Sequence, residues 1–292
     1  DYEVSLMHAE YFAGIAKYDY IGFATRIDNN SVLGISAIRL GIDDIPDTRF
    51  LFDASGVLNY DNVRFFSASD YAFLISYAHR YRNWNIGGNA KVIYRNVGQF
   101  ADAWGFGFDL GVQRKWKNGI SFGANIYDVT TTFNVWSINS SLLEQTFVQT
   151  GNEIPLQSVE LTLPKSIFSG SYAFSIKERV NFLWVLDAQL TFDGKRNTLI
   201  SSYFTSIDPR LGMQLDYKNI VFLRGGATNY QKVKDFDGTM YTSIQPNFGI
   251  GLKIKKVAID YALTDVGNVG EVLFSNIFSI KIQLDKNKLD EK

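Results

Sequence analysis

The sequence predicts an all-β fold: a transmembrane β-barrel of about fourteen antiparallel strands. Three observations predict it. Apolar and polar residues alternate with period two from one end of the chain to the other. Short turns alternate with longer connections, the layout of an outer-membrane barrel. No stretch approaches the ~20 consecutive apolar residues of a membrane-crossing helix, so a chain of this kind spans a bilayer only as a closed barrel.

Each strand follows from its alternation. Tyr71, Phe73, Ile75 and Tyr77 form one apolar stripe. Trp104, Phe106, Phe108, Leu110 and Val112 form another, set against Gly105, Gly107, Asp109, Gly111 and Gln113. Ile207, Pro209, Leu211, Met213, Leu215 and Tyr217 alternate with Asp208, Arg210, Gly212, Gln214 and Asp216. The same rhythm carries Ile244 to Lys253, Val257 to Thr264 and, last, Phe278 to Leu284. Successive side chains of a strand point to opposite faces, so each segment has one oily face and one polar or small one. A charge facing lipid at mid-depth costs ~2–4 kcal/mol, and nearly every stripe is free of charge.

Turns are expected near Asp28-Asn29-Asn30, Tyr81-Arg82-Asn83, Lys115 to Gly119, Lys177-Glu178-Arg179, Lys218-Asn219 and Ile254-Lys255-Lys256. Longer loops are expected near 9–17, 43–66, 96–103, 129–165, 194–205, 229–242 and 265–273. The even strand count puts both termini on the short-turn, periplasmic side, in one barrel domain over 1–292 whose long extracellular loops are 43–66 and 129–165. Pro209 and Pro246 sit on stripes although proline removes a ladder donor, which marks either lapsed pairing or a kink.

Composition narrows the function. The chain has 292 residues, net charge -1 and 46% hydrophobic residues, values that a soluble protein shares. Its mean hydropathy, -0.07, is equally uninformative. The 15% aromatic content and 24 glycines favour a pleated surface with rings packed on it. A soluble sandwich, propeller or lectin also alternates. Against it stand polar faces that mix Asp, Arg, Lys and Asn with glycine, as a lumen does, and rings near strand ends, as an aromatic girdle does. With no cysteine there is no disulfide, thiolate metal site or cysteine catalysis. The near-neutral charge argues against nucleic acid as a partner. The chain opens on Tyr2-Glu3-Val4-Ser5-Leu6, which already reads as strand, so a preceding N-terminal segment is expected outside the numbering.

Several stretches resemble the PorV/PorQ family of Bacteroidota outer-membrane proteins, relatives of the FadL long-chain fatty-acid transporters. They are Leu6 to Ala24, Ala68 to Phe73, Gly151 to Pro155, Phe192 to Asn197 and Asp260 to Asp265. The resemblance implies a fourteen-stranded barrel and an N-terminal segment that enters the lumen. It also implies association with type IX secretion, with a translocon barrel and secreted cargo C-terminal domains as partners beside outer-membrane lipid.

No catalytic, cofactor or metal constellation is present, so no enzyme is expected. His8 and His79 have no His, Cys or carboxylate at ligand spacing. Gly105 to Gly111 lacks the order of a nucleotide loop, and Asp235-Phe236-Asp237-Gly238 lacks the ligands of a calcium loop. Two sets remain. Asn89, Lys91, Arg95, Asp109, Asp187, Gln189, Asp208, Arg210, Asp216, Asp260 and Lys281 are expected on the lumen face, as interstrand ion pairs or as a polar conduit. Phe50, Phe52 and Tyr60 in loop 43–66, with Phe133, Trp136 and Phe147 in loop 129–165, are candidate anchors for a docked partner. On that reading, deletion of 133–147 spares barrel assembly. The functional expectation is an accessory or cargo-docking subunit of a larger outer-membrane assembly. The alternative is FadL-like transport of a hydrophobic small molecule, which needs an apolar pocket and a gap in the wall.

Overall fold

A computed structural model describes residues 2–53, 55–151, 153, 157–264 and 275–285. The strands are β1 (Tyr2–Tyr11), β2 (Ala16–Arg26), β3 (Ser31–Asp47), β4 (Arg64–Tyr81), β5 (Trp84–Val97) and β6 (Ala101–Lys115). They continue as β7 (Ile120–Tyr127), β8 (Thr132–Ile138), β9 (Gln157–Thr162), β10 (Lys165–Ile176), β11 (Val180–Thr191) and β12 (Ile200–Ser201). The last are β13 (Ser206–Tyr217), β14 (Val221–Lys234), β15 (Met240–Ile254), β16 (Val257–Thr264) and β17 (Ser275–Leu284). A single α-helix among the described residues, α1 (Ser140–Thr150), joins β8 to β9 and, like the 3-10 turn Tyr60–Asn62, is far too short to cross a membrane.

Fourteen antiparallel strands close the wall, in the order β1 to β7, β10, β11, β13 to β17, with β17 returning to β1 from Tyr2↔Leu284 to Glu10↔Asn276. β8 and β9 form a hairpin that prolongs β7 and β10 upward, β8 pairing with the upper half of β6. β12 is a short addition beside β13.

The burial pattern is inverted relative to a water-soluble protein. Among the described residues the buried hydrophobic side chains are Ala9, Ala16 and Ala103. Buried polar ones include Asp47, Asp109, Asp128, Thr132, Asn134, Ser206 and Asp216. The large apolar residues stand on the outside: Phe73 and Ile75 on β4, Trp104 to Leu110 on β6, Leu211 to Tyr217 on β13, and Phe248 and Ile250 on β15. An apolar exterior of this extent is a surface for hydrocarbon. At the short-turn end it finishes in an aromatic belt of Tyr81, Trp84, Trp116 and Tyr217. Arg82 lies 5.4 Å from the Tyr81 ring, Arg114 5.0 and 4.8 Å from the Trp84 and Trp116 rings, and Lys218 5.4 Å from the Tyr217 ring.

The short turns lie where the sequence places them. The three-residue connections 177–179 and 218–220 each hold a β-turn, closed by Arg179 N to Ile176 O and Ile220 N to Tyr217 O, with both central residues at positive φ (50° and 54°, 53° and 55°). That mirror-image geometry matches the right-handed twist of the flanking strands. The prolines mark lapsed pairing. Pro209 pairs with Ala188 of β11, but the ladder to β14 begins only at Leu211. Pro246 faces Ala227 of β14, one residue above the start of the β16 ladder at Asn247.

The long connections are shorter than the sequence suggests. Loop 43–66 reduces to 48–63, because β3 and β4 stay paired up to Asp47↔Arg64 beyond a bulge at Ile42/Ile45. Loop 229–242 reduces to 235–239, and 96–103 to 98–100. Loop 129–165 contains β8, α1 and β9, and β8 belongs to the wall, so deletion of 133–147 removes a wall segment rather than a free loop. Above the membrane both strand faces meet water, so the hydrophobic period that reveals a strand disappears there. The expected loop 265–273, and Asn152 and Ile154 to Leu156 within the expected loop 129–165, lie outside the described residues.

Met213→Arg, on the outward face of β13, is expected to cost ~2–4 kcal/mol, whereas Gln214→Arg on the lumen face costs well under that. Urea unfolding in lipid vesicles measures both; equal penalties would contradict the assigned faces.

Candidate functional site: the lumen and an interrupted wall

The lower lumen holds a cavity of about 760 Å³ lined by Glu3, Ser5, Asn89, Asp109, Gln113, Asn125, Ser169 and Ser171 with several glycines. Of the polar set read from the sequence, Asn89 and Asp109 line this cavity, Gln189, Asp208 and Arg210 line a second one higher in the lumen, and most of the set meets a side-chain partner. Lys91 Nζ lies 2.7 Å from Asp109 Oδ1. Arg95 donates to Asp70 at 3.0 Å and to Glu160 at 2.8 Å. Arg224, which the sequence reading overlooked, donates to Asp260 at 2.5 Å and to Gln214 at 2.8 Å. Lys281 Nζ reaches Glu3 Oε1 at 2.9 Å, and Asn181 donates to Asp216 at 2.8 Å. Asn89 faces the cavity beside Asp109. Arg210 donates to Gln189 and stands 3.5 Å from Asp208, while Asp187 Oδ1 and Asp208 Oδ1 are buried with no protein partner.

The upper lumen is not uniformly polar. Cross-strand register puts Met7 beside Tyr20, Tyr20 beside Ile38, Ile38 beside Ala72 and Ala72 beside Ile93 on the inward face. One row higher run Ala9, Tyr18 and Leu40. The lower row is apolar across β1 to β5, whereas the row above it is apolar across β1 to β3 and passes to Asp70 and Arg95 on β4 and β5; together they make an apolar quarter of the inner wall. The sequence conceals it because the outward neighbours, such as Leu6 and Ile21, are apolar too, which erases the alternation.

The wall itself is interrupted next to this quarter. β6 pairs with β7 up to Leu110↔Ile126 and resumes with β8 at Phe106↔Phe133. Thus Gly107 to Asp109 on one side face Tyr127 to Thr132 on the other. The surplus residues fold out of the ladder, with Asp128 and Thr131 at φ 55° and 61°. A lapse in the ladder leaves donors unpaired, which hydrocarbon cannot satisfy. Here they are satisfied locally. Val129 N donates to Phe108 O at 2.9 Å, and Asp128 N donates to the Asp109 carboxylate at 2.9 Å. Lys91 closes the cluster, 2.7 Å from Asp109 and 2.6 Å from Asp128, and the Thr132 hydroxyl donates to Asp128 at 2.5 Å. Asp109, Asp128 and Thr132 are all buried. Gly107 is needed beneath them, since a Cβ there would collide with Thr132 Oγ1 and lie 3.0 Å from Lys91 Cε. Asp128 and Thr132 escaped the sequence reading because they fall where alternation stops.

The six candidate docking residues do not share a surface. Phe133 is part of the outward wall, opposite Phe106 and Leu161. Trp136 turns inward and donates to Glu160 at 2.9 Å beneath Arg95. Phe50 lies between Arg49 and Arg64. Phe147 sits on α1, which Arg49 ties to loop 48–63 through the Leu142 carbonyl at 2.7 Å. Phe52 and Tyr60 alone project freely, 64% and 72% exposed. The histidines are structural: His79 Nδ1 lies 2.9 Å from Ser31 Oγ at the short-turn end. His8 meets Asp19 across the β1–β2 ladder at 2.7 Å, a contact invisible to sequence spacing, and lies 3.7 Å from Glu10 on its own strand.

A closed antiparallel barrel with an apolar exterior, an aromatic belt and a largely polar lumen is a bacterial outer-membrane β-barrel. No family model matches the chain, and no curated protein does. Solved structures do match in fold. The toluene transporter TodX of P. putida is 12% identical, with a TM-score of 0.56, covering 97% of this chain and 88% of that one. The CymD monoaromatic hydrocarbon channel is 12% identical with the same TM-score, covering 97% and 87%. The Ralstonia pickettii toluene transporter TbuX is 12% identical at TM-score 0.50, covering 97% and 88%. At this identity the likeness is one of fold. These neighbours are transporters and channels rather than enzymes, and they lend the PorV/PorQ and type IX expectations no support.

Lys91→Met strands two carboxylates in the wall and is expected to destabilise the barrel by about 3–5 kcal/mol, the cost of breaking a buried ion pair. The urea midpoint measures it; an unchanged midpoint would show that the cluster does not hold the interruption shut.

Proposed function

We propose that the barrel conducts a small hydrophobic molecule across the outer membrane. The carrying observation is the apolar quarter of the upper lumen, next to an internal lapse in the strand ladder between β6 and β7. A hydrophobic solute entering from the long-loop end meets Tyr18 and Leu40 and then Met7, Tyr20, Ile38 and Ile93. Below lies the polar cavity around Asn89, Asp109 and Asn125, which such a solute avoids because it would have to displace ordered water without replacing its hydrogen bonds. The cheaper exit is sideways into hydrocarbon, through the segment Asp128 to Thr131. The Lys91–Asp109–Asp128 cluster then acts as the closure. The fold shared with toluene and monoaromatic hydrocarbon channels supports this reading, and monoaromatics are the first solutes to try.

The test is uptake of labelled toluene by cells expressing the barrel. Ile38→Gln together with Ile93→Gln is expected to lower uptake several-fold at unchanged barrel abundance, since each swap costs roughly 1–2 kcal/mol of apolar contact. Uptake equal to that of cells lacking the barrel, or indifferent to both changes, would refute the proposal.

A further inference from the structure

The outer wall carries a second feature, independent of the lumen. Across β1 to β4 the outward apolar band is interrupted by charge. His8, Asp19, Arg39 and Tyr71 lie side by side in one register row on the outward face, with Glu10, Lys17 and Asp43 just above. Their contacts form a chain. His8 meets Asp19 at 2.7 Å, Arg39 reaches Asp19 at 3.4 Å and Asp43 at 3.6 Å, and Lys17 reaches Asp43 at 3.3 Å. All remain accessible from outside, between 30% and 49% exposed.

Directly below the charges is a trough of about 450 Å³ on the same face, floored by Leu6, Ile21, Ala37, Phe73 and Ile280. Ala37 makes it, because its methyl sits between the larger Ile21 and Phe73 side chains of the neighbouring strands. The charged rim also sits low. Arg39 stands eight residues above the polar Ser31–His79 contact of the short-turn end, or ~20 Å after rise and tilt, against a usual apolar height of ~25 Å. On β13 the outward apolar run instead extends from Tyr217 to Ile207. Headgroups must therefore dip to meet this rim, or the charges face hydrocarbon.

What surrounds an outward wall in this membrane is lipid, and the rim shows which kind. Three carboxylates (Glu10, Asp19, Asp43) face two fixed cations (Lys17, Arg39), an arrangement poorly suited to a purely anionic headgroup. It suits one that carries both signs. Arg39 is hydrogen-bonded to Tyr71 and only loosely held by Asp19 and Asp43, which leaves guanidinium N–H groups to donate to a phosphate, and Glu10, 3.7 Å from His8, can take an ammonium. We infer that the trough is a binding site for one zwitterionic phospholipid, its acyl chain along Ala37 and its head on the rim between Arg39 and Glu10.

Native mass spectrometry of the delipidated barrel tests this, with phosphatidylethanolamine, phosphatidylglycerol or lipid A added back. One retained phosphatidylethanolamine per barrel is expected, and weaker retention of the two anionic lipids. Ala37→Phe fills the trough and is expected to lower that retention at least about tenfold, or some 1.4 kcal/mol. Ala90→Phe, outward on β5 away from the trough, is expected to leave it unchanged, and heat-modifiable gel mobility reports that each variant folds. Arg39→Gln, which leaves the floor intact, is expected to weaken retention as well. Preferential retention of either anionic lipid, no retained lipid, or equal retention by Ala37→Phe would overturn the inference.

Discussion

Hydrocarbon offers no hydrogen-bond partner, so every backbone N–H and C=O of a sheet in a membrane must be paired within the protein. The closure of β17 onto β1 follows from this requirement, as does the antiparallel ladder that runs through all fourteen wall strands. Closure then fixes the side chains. One face of every strand must be oily and the other is free to be polar, which is why carboxylates such as Asp109 and Asp216 are buried while Trp104 and Phe248 are exposed. The same requirement explains the cluster at the strand break. Where β7 gives way to β8, the Asp109 carboxylate accepts the Asp128 N–H in place of a strand carbonyl, and Lys91 offsets the charge this introduces.

The parts of the fold inside the membrane were legible in the sequence, because lipid on one side and water on the other impose opposite demands on alternate residues. The stripe of β13 and the turns at Lys177-Glu178 and Lys218-Asn219 were readable for that reason. The upper strand ends were not. Gln231 to Lys234 pairs with Met240 to Ser243 above the bilayer, where both faces see water and no period survives. The apolar lumen quarter was hidden by the opposite effect, since Leu6-Met7 and Tyr20-Ile21 are apolar on both faces. The polar lumen residues could be assigned to a face, but their partners could not: Arg95 meets Glu160 of β9 across a connection that alternation does not describe. The docking residues were chosen by type and loop position, and the fold distributes them between wall, lumen and rim.

The lumen is thus two-sided. Amides, carboxylates and guanidinium groups line β11 to β17, whereas aliphatic and aromatic side chains predominate on the upper part of β1 to β5, below the Asp70–Arg95 pair. A uniformly polar lumen would favour ions and sugars, and a uniformly apolar one would dewet. The mixed wall gives a hydrophobic solute a dry path on one side only, ending beside the residues that interrupt the ladder. The outer wall is two-sided as well: it is tall and uncharged around β13 and β15, and shorter, with a charged upper rim, at β1 to β4. Both asymmetries arise on the same strands, so the proposed passage and the proposed lipid contact fall in a single quarter of the barrel.

The claim beneath all of this is that alternate residues of each strand face lipid and lumen. The protein contains no cysteine, so single cysteines can be placed without background. Cysteines at positions 211 to 215 of β13, labelled with a fluorophore in vesicles, should alternate. Positions 211, 213 and 215 should be quenched by a lipid-resident quencher, and 212 and 214 by a water-soluble one. A run of positions quenched alike, or the reverse alternation, would contradict the account.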